Sequence, residues 1–220
     1  MNFCTSGLNV IETEAAAIFA LNQCINEHFE RACQLMFTCK GRIVVTGMGK
    51  SGHIGKKIAA TLASTGTPAF FMHPAEANHG DLGMVTSQDT VLALSNSGNT
   101  LEMLNLLPGL KRLGVPLITL TGNPNSTLAK TATVNLNLEI SQEACPLGLA
   151  PTTSTTTALV MGDALAVALL EARGFTADDF AHAHPGGALG KQLLMTVDEL
   201  YHSGHDLPLV TDATLVRDAL

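Results

Sequence analysis

The chain has 220 residues, enough for one sizeable α/β domain. Its net charge of −7 argues against general nucleic-acid binding, although local donors could still hold a phosphate. It is 46% hydrophobic and 14% charged, which suits a compact core with little charged surface. No apolar run approaches the roughly 20 residues that span a bilayer, and the N-terminus has no basic segment followed by an apolar core. Neither membrane insertion nor a signal peptide is therefore expected, and a cytoplasmic setting is. Cys4, Cys24, Cys33, Cys39 and Cys145 form no CxxC pair and read as reduced thiols, mostly core or helix-face filler.

Residues 8–39 carry a helical period through Ile11, Ala15, Ile18, Leu21 and Ile25, then Phe29, Cys33, Met36 and Phe37. A bend is expected between Asn22 and Asn26, and the stretch reads as packing or oligomer surface. Arg42 to Gly47 is the first strand. Its loop, Gly47-Met48-Gly49-Lys50-Ser51-Gly52, matches GxGxxG and imitates a Walker A sequence. A dinucleotide site needs an acid at the end of the next strand. Here Pro68 to Met72 ends in His73-Pro74, and Glu76 is a poor substitute. A Walker A loop needs glycine at position 44, where Val44 stands. Both nucleotide readings lose ground.

Glu76 to Gly83 follows the second strand and holds His79 and Asp81 beyond a carboxyl end, the edge that carries ligands in open α/β sheets. The third strand, Val91 to Leu94, feeds a second small-residue turn, Ser95-Asn96-Ser97-Gly98-Asn99-Thr100. Two loops of this kind expose backbone N–H groups at helix N-termini and add hydroxyl donors, which is the chemistry of a phosphate site. Together they point to a phosphorylated small molecule. Glu102 lies on the first turn of the next helix, which Pro108 should kink or interrupt.

A fourth strand covers Pro116 to Leu120 and a fifth Val134 to Ile140. The loop Ser141 to Ala150 carries Glu143 and Cys145. Pro151 and the hydroxyl run Thr152 to Thr157 then open and cap a long apolar helix through Arg173, and the run could also line the site. Asp163 reads as a buried packing or hydrogen-bonding acid inside that helix. Ala181 to Gly190 places His182 and His184 before a Pro-Gly-Gly turn. The histidines lack ligand spacing, so no metal is expected, and His184 suits proton transfer. From about Met195 the character changes, with several acids and no sheet-forming block. Five strand signals, mostly separated by helices, imply an α/β fold with a doubly wound five-stranded parallel sheet and N-terminal helices.

GMGKSGHIGKKIAATLASTGTPAFF, HPAEANHGDLGM, SNSGNT, EACPLGLAPTTSTTTALVMGDALA and DDFAHAHPGGALG together resemble the sugar isomerase (SIS) domain of D-arabinose 5-phosphate isomerases. The match runs over about residues 10 to 195 in several ordered blocks. It implies a flavodoxin-like SIS domain over 1–195, with 196–220 a linker and the start of a C-terminal CBS region. The implied activity is metal-free, cofactor-free interconversion of D-ribulose 5-phosphate and D-arabinose 5-phosphate, supplying 3-deoxy-D-manno-octulosonate for lipopolysaccharide or capsule. Isomerisation of another phosphosugar, or phosphosugar sensing without turnover, is the alternative. By motif the family's site residues fall on Lys50, His79, Glu102, Glu143 and His184. A homotetramer with sites at subunit interfaces is also implied, in which His184 could serve a neighbour. For an enediolate mechanism, Ser51, Ser95, Ser97 and Thr100 are assigned to the phosphate. Glu143 is preferred as base because it lies on an irregular loop at the strand edge, with Glu102 the alternative. Lys50 would stabilise the enediolate or contact phosphate, and His79 and His184 would handle hydroxyl protons.

Overall fold

Five short apolar runs pair into one parallel sheet in a computed structural model that describes residues 2–184, 186, 196, 201, 207, 209–215 and 217. The strands are β1 (Ile43–Gly47), β2 (Ala69–Met72), β3 (Thr90–Leu94), β4 (Leu117–Thr121) and β5 (Val134–Asn137), in the order β2-β1-β3-β4-β5. Register aligns Thr46 with Met72 on one side and with Ala93 on the other. The order reverses beside β1, so a crevice opens outside the carboxyl ends of β1 and β3, where open α/β sheets bind ligands.

The helices are α1 (Phe3–Ala20), α2 (Glu27–Phe37), α3 (Gly49–Ser64), α4 (Pro74–Ala77), α5 (Leu101–Leu104), α6 (Leu107–Leu113), α7 (Thr127–Thr131), α8 (Thr153–Arg173) and α9 (Ala177–Ala183). Alternate strand residues point to opposite faces. Ile43 and Val45 join one core with Met36, Ile58 and Leu165, whereas Val44 joins a second with Met103 and Leu110. Both faces are covered, so the central strands are apolar throughout instead of alternating.

The expected bend between N-terminal helices is a 3₁₀ turn at Leu21–Cys24, after which Asn26 caps α2 by accepting from the His28 N–H. The first helix starts earlier than its apolar period suggests, because the Asn2 side chain caps it through Thr5 N–H. The fifth strand ends at Asn137, not Ile140, since its last ladder partner, Thr121, ends β4. Pro108 interrupts its helix as expected and sits in the first turn of α6, where its missing N–H costs nothing. Asp163 is a hydrogen-bonding acid, one of the two expected roles, but it is not buried. Its side chain is 42% exposed and pairs with Lys57 at 2.5 Å, linking α3 to α8. Among the described residues, α8 alone is long and apolar enough to cross a membrane. Here it buries Met161, Leu165, Ala166 and Leu169 in the core. Cys24 and Cys33 fit the filler reading, with burial raising both thiols, Cys33 to about 11.

Asp89 ties the start of β1 to the turn before β3. Its buried carboxylate accepts from Arg42 N (2.6 Å), Thr86 N (2.7 Å) and Thr86 Oγ1 (3.1 Å). Burial works to raise its pKa, but these hydrogen bonds prevail and hold it below the usual value. A depressed folded value adds stability that is fully present above the unfolded value, near 3.8, and is lost as pH falls through the folded one. Asp89→Ala is expected to cost about 3 kcal/mol in urea unfolding at neutral pH, because it strands three donors. Part of that deficit should vanish as the wild type is titrated below pH 3.8.

Two compact units divide the chain, Met1–Thr176 and Ala177–Leu220. The first holds the sheet and the second holds α9. Met195, the expected end of the SIS domain, lies outside the described residues.

Candidate active site

The turn from β1 into α3 is built from small residues because helix and strand ends meet closely. A Cβ on Gly52 would lie 2.5 Å from the Gly47 carbonyl oxygen, and Gly49 takes φ +57. Met48 stands at the N-cap and supplies no side-chain hydrogen bond. No side chain of the cap therefore competes for the first-turn N–H groups, at the positive end of a 16-residue helix. Ser51 is half-buried in this turn and Lys50 is exposed beside it.

The hydroxyl turn after β3 is held by its own side chains. Buried Ser95 Oγ accepts from Gly98 N at 3.1 Å and shares a 2.9 Å hydrogen bond with Thr100 Oγ1. One hydroxyl proton is used in that pair, which leaves the other for a ligand. Ser97 is exposed, and its Oγ accepts from Asn99 N at 3.3 Å. Asn99 Oδ1 in turn accepts from Thr127 N, fixing the turn to α7.

Glu143 reaches back across its loop to cap α8. Oε2 accepts from Thr152 N (2.8 Å), Thr152 Oγ1 (3.1 Å) and Ser154 N (3.2 Å), and Oε1 accepts from Ser154 Oγ. Burial opposes ionisation, but the Ser154 hydroxyl, the two N–H groups and the Thr152 hydroxyl together hold the carboxyl below its ordinary value. The expected hydroxyl cap is thus corrected: Thr152 stands at the N-cap without a side-chain cap hydrogen bond, and the acceptor is a glutamate nine residues upstream of it. The loop is closed further by Ala144 N, which donates to Thr152 Oγ1 and Thr153 Oγ1, both at 2.9 Å. Cys145 departs from the filler expectation: backbone N–H groups of Ala150, Leu147, Leu149 and Gly148 lower its thiol pKa.

On the α4–α5 side, Asn78 Nδ2 donates to the Glu102 carbonyl at 3.1 Å, so the His79 segment is tied to the turn bearing Glu102. Glu102 is half-buried and His79 exposed. His79 Nδ1 lies 2.9 Å from the Ala75 carbonyl oxygen. A carbonyl only accepts, so Nδ1 is the donor in this contact. His184, in the second unit, is held the same way, Nδ1 to the Phe180 oxygen at 3.0 Å, with its ring stacked on Phe180. The Pro185 and Gly187 of its expected turn lie outside the described residues. No group of three or more His, Cys, Asp or Glu is placed to hold a metal ion among the described residues.

Ser51, Ser95 and Ser154 meet in one cleft at the carboxyl edge, with Asn96, Thr121 and Gly122. Its volume, about 20 Å³, holds one water molecule, so a larger ligand would lie over these hydroxyls and not among them. The N-terminal turns of α3 and α8 converge here. Sequence reasoning named Ser51 and Ser95 but left Ser154 within the threonine run. Among the described residues, no hydrogen bond joins Glu143 to Lys50, His79 or Glu102.

The SIS domain model matches residues 36–168, the span that holds the sheet, both loops and most of α8. The chain belongs to the SIS domain family. Arabinose 5-phosphate isomerase KdsD of Pseudomonas aeruginosa is 60% identical over 220 residues, covering all of this SIS chain and 68% of the relative. KdsD of Escherichia coli K12 is 59% identical over 219 residues, covering 67% of that relative. Among solved SIS structures, Escherichia coli CFT073 c3406 in complex with arabinose 5-phosphate is 42% identical with TM-score 0.81, covering 84% of this chain and 100% of that one.

Proposed function

We infer that this chain is an aldose–ketose isomerase that interconverts D-arabinose 5-phosphate and D-ribulose 5-phosphate through an enediolate. The observation that carries the reading is the convergence of two helix N-termini, three serines and the Glu143 cap on one sheet edge. Helix N-termini and hydroxyls that suit an anion, next to a carboxyl whose pKa is lowered, support this reading. About 60% identity to arabinose 5-phosphate isomerases along the whole chain supports the substrate. The product would feed 3-deoxy-D-manno-octulosonate synthesis in the cytoplasm.

In this reading the phosphate rests on the first turn of α3 and on the hydroxyl turn, held by Ser51, Ser95, Ser97 and Thr100. Remote phosphate binding fixes the reacting carbons. Glu143 takes the proton from one of the two carbons, C1 or C2, and returns one to the other through Oε1, the oxygen with one hydroxyl partner; Oε2 stays anchored by two backbone N–H groups. The depressed pKa keeps the base ionised and lowers its proton affinity, so Lys50 must share the load by stabilising the enediolate oxygens. His79 and His184 pass hydroxyl protons during ring opening. Glu102 orients a substrate hydroxyl. Conversion of arabinose 5-phosphate by the chelator-treated chain, followed as ketose formation, tests the reading. Stabilisation by the sugar phosphate without turnover would favour a sensor.

We also propose that 1–195 is the SIS domain, with 196–220 a linker toward a CBS region, and that the chain forms a homotetramer. Helix α1 supports the tetramer: it buries no residue within the chain and leaves Phe3, Leu8, Ile11 and Phe19 exposed. Wild-type chain should show the mass of four subunits by light scattering. Ile11→Asp with Phe19→Asp should shift it to smaller species and lower activity; an unchanged mass would remove α1 from the interface.

A further inference from the structure

We propose that Ser154 is a positioning residue for the isomerisation, its hydroxyl holding Oε1 of Glu143 at the serine-lined cleft and keeping that oxygen unprotonated between turnovers. The proposal rests on Glu143 being the base. Ser154 touches both carboxylate oxygens, through its backbone N–H to Oε2 and its hydroxyl to Oε1, and it lines the cleft with Ser51 and Ser95. It is 7% exposed and sits at the second position of α8, a helix anchored in the core by Met161, Leu165 and Leu169. A group on a rigid element holds its partner to a narrow range of positions.

The two oxygens are held differently. Backbone N–H groups on Oε2 cannot turn away, whereas the Ser154 hydroxyl rotates about Cβ–Oγ. When the substrate C–H bond breaks, its electron pair enters the C1–C2 bond and the carbonyl becomes an enediolate oxygen. The proton passes to Oε1. The Ser154 hydroxyl then turns, and its lone pair accepts from the new O–H. Return of a proton from Oε1, the original or one exchanged with solvent, to the neighbouring carbon, with the hydroxyl proton of the enediolate passing from one oxygen to the other, restores the first arrangement, so nothing is consumed. The groups acting on the carboxylate are Ser154 and Thr152, together with burial; no charged side chain is among them. Cys145, the nearest titratable group on the loop, is engaged by the backbone N–H groups of residues 147–150. Lys50, His79 and His184 also have roles in the reaction proposed above, so it is the displacement of the acidic limb between wild type and the Ser154 variants, in which those groups are unchanged, that reports on Ser154.

The test is kcat and KM against pH for Ser154→Ala, Ser154→Cys, Ser154→Thr and Glu143→Gln in the full chain, with proton exchange followed in parallel. Ser154→Ala should lower kcat about tenfold, leave KM within about twofold, and move the acidic limb of kcat/KM up by about one pH unit. Cysteine, a weak donor, should fall between alanine and wild type, and threonine should restore both values. Melting-temperature shifts with arabinose 5-phosphate should be unchanged in all four. An unmoved acidic limb in both the alanine and cysteine variants overturns the proposal while leaving Glu143→Gln inactive. Retained exchange in Glu143→Gln overturns the base reading itself, and the Ser154 proposal with it.

Discussion

Glu143→Gln is expected to lower kcat/KM for isomerisation about a thousandfold and to abolish exchange of the reacting proton, while the chain stays folded and still binds sugar phosphate. The reasoning separates two jobs of one side chain. As a cap, Glu143 accepts from Thr152 N and Ser154 N at the start of α8. The glutamine carbonyl oxygen can accept from the same donors, and losing one negative charge at a helix N-terminus costs about 1 kcal/mol at most. As a base, the carboxylate has no substitute in an amide, which does not take up a proton near neutral pH. Melting temperature and catalysis should therefore part company in this variant. Glu143→Ala should lose both, because it strands the cap donors and the Ser154 hydroxyl. If Glu143→Gln keeps proton exchange and Glu102→Gln loses it, the base role passes to the first turn of α5.

Gly52→Ala should be a severely disruptive single-methyl change at the site. The added Cβ meets the Gly47 carbonyl oxygen at 2.5 Å and the Phe71 ring at 3.4 Å. The carbonyl cannot retreat, since β1 is paired with β2 on one side and β3 on the other. Helix α3 must lift away from the strand end, carrying Lys50 and Ser51 with it. We expect a loss of about 3 kcal/mol in urea unfolding and a rise in KM of at least about tenfold, because the phosphate-binding turn moves. Gly83→Ala is a fitting control, since nothing lies within 4 Å of a Cβ there. A wild-type KM in Gly52→Ala would mean that the first turn of α3 does not bind the phosphate.

Much of the fold is legible because its signals are local. Ile43–Gly47 and Thr90–Leu94 are continuous apolar runs bounded by polar or glycine residues, and their burial on both sheet faces produces that pattern. Pro108 and the bend near Asn22 are equally local. The errors arise where a partner far along the chain decides. The end of β5 is set by where β4 stops, and Asp163 faces Lys57 on a separate helix instead of the core. At the site, the two loops announce themselves by composition, so Ser51 and Ser95 could be named. The link between Glu143 and Ser154 spans an irregular loop of exposed residues, and no spacing rule predicts that such a loop folds back on the helix it precedes. Ser154 accordingly stayed inside an undifferentiated run of hydroxyls until the helix start was in place.

The most direct test of an isomerase with a carboxylate base is proton NMR of the chelator-treated chain with D-arabinose 5-phosphate in deuterium oxide, followed to equilibrium. The account predicts growth of ribulose 5-phosphate with solvent deuterium at the carbon that gains the proton, and no deuterium uptake with Glu143→Gln. Stabilisation by the sugar without conversion, or deuterium uptake undiminished in Glu143→Gln, would contradict it.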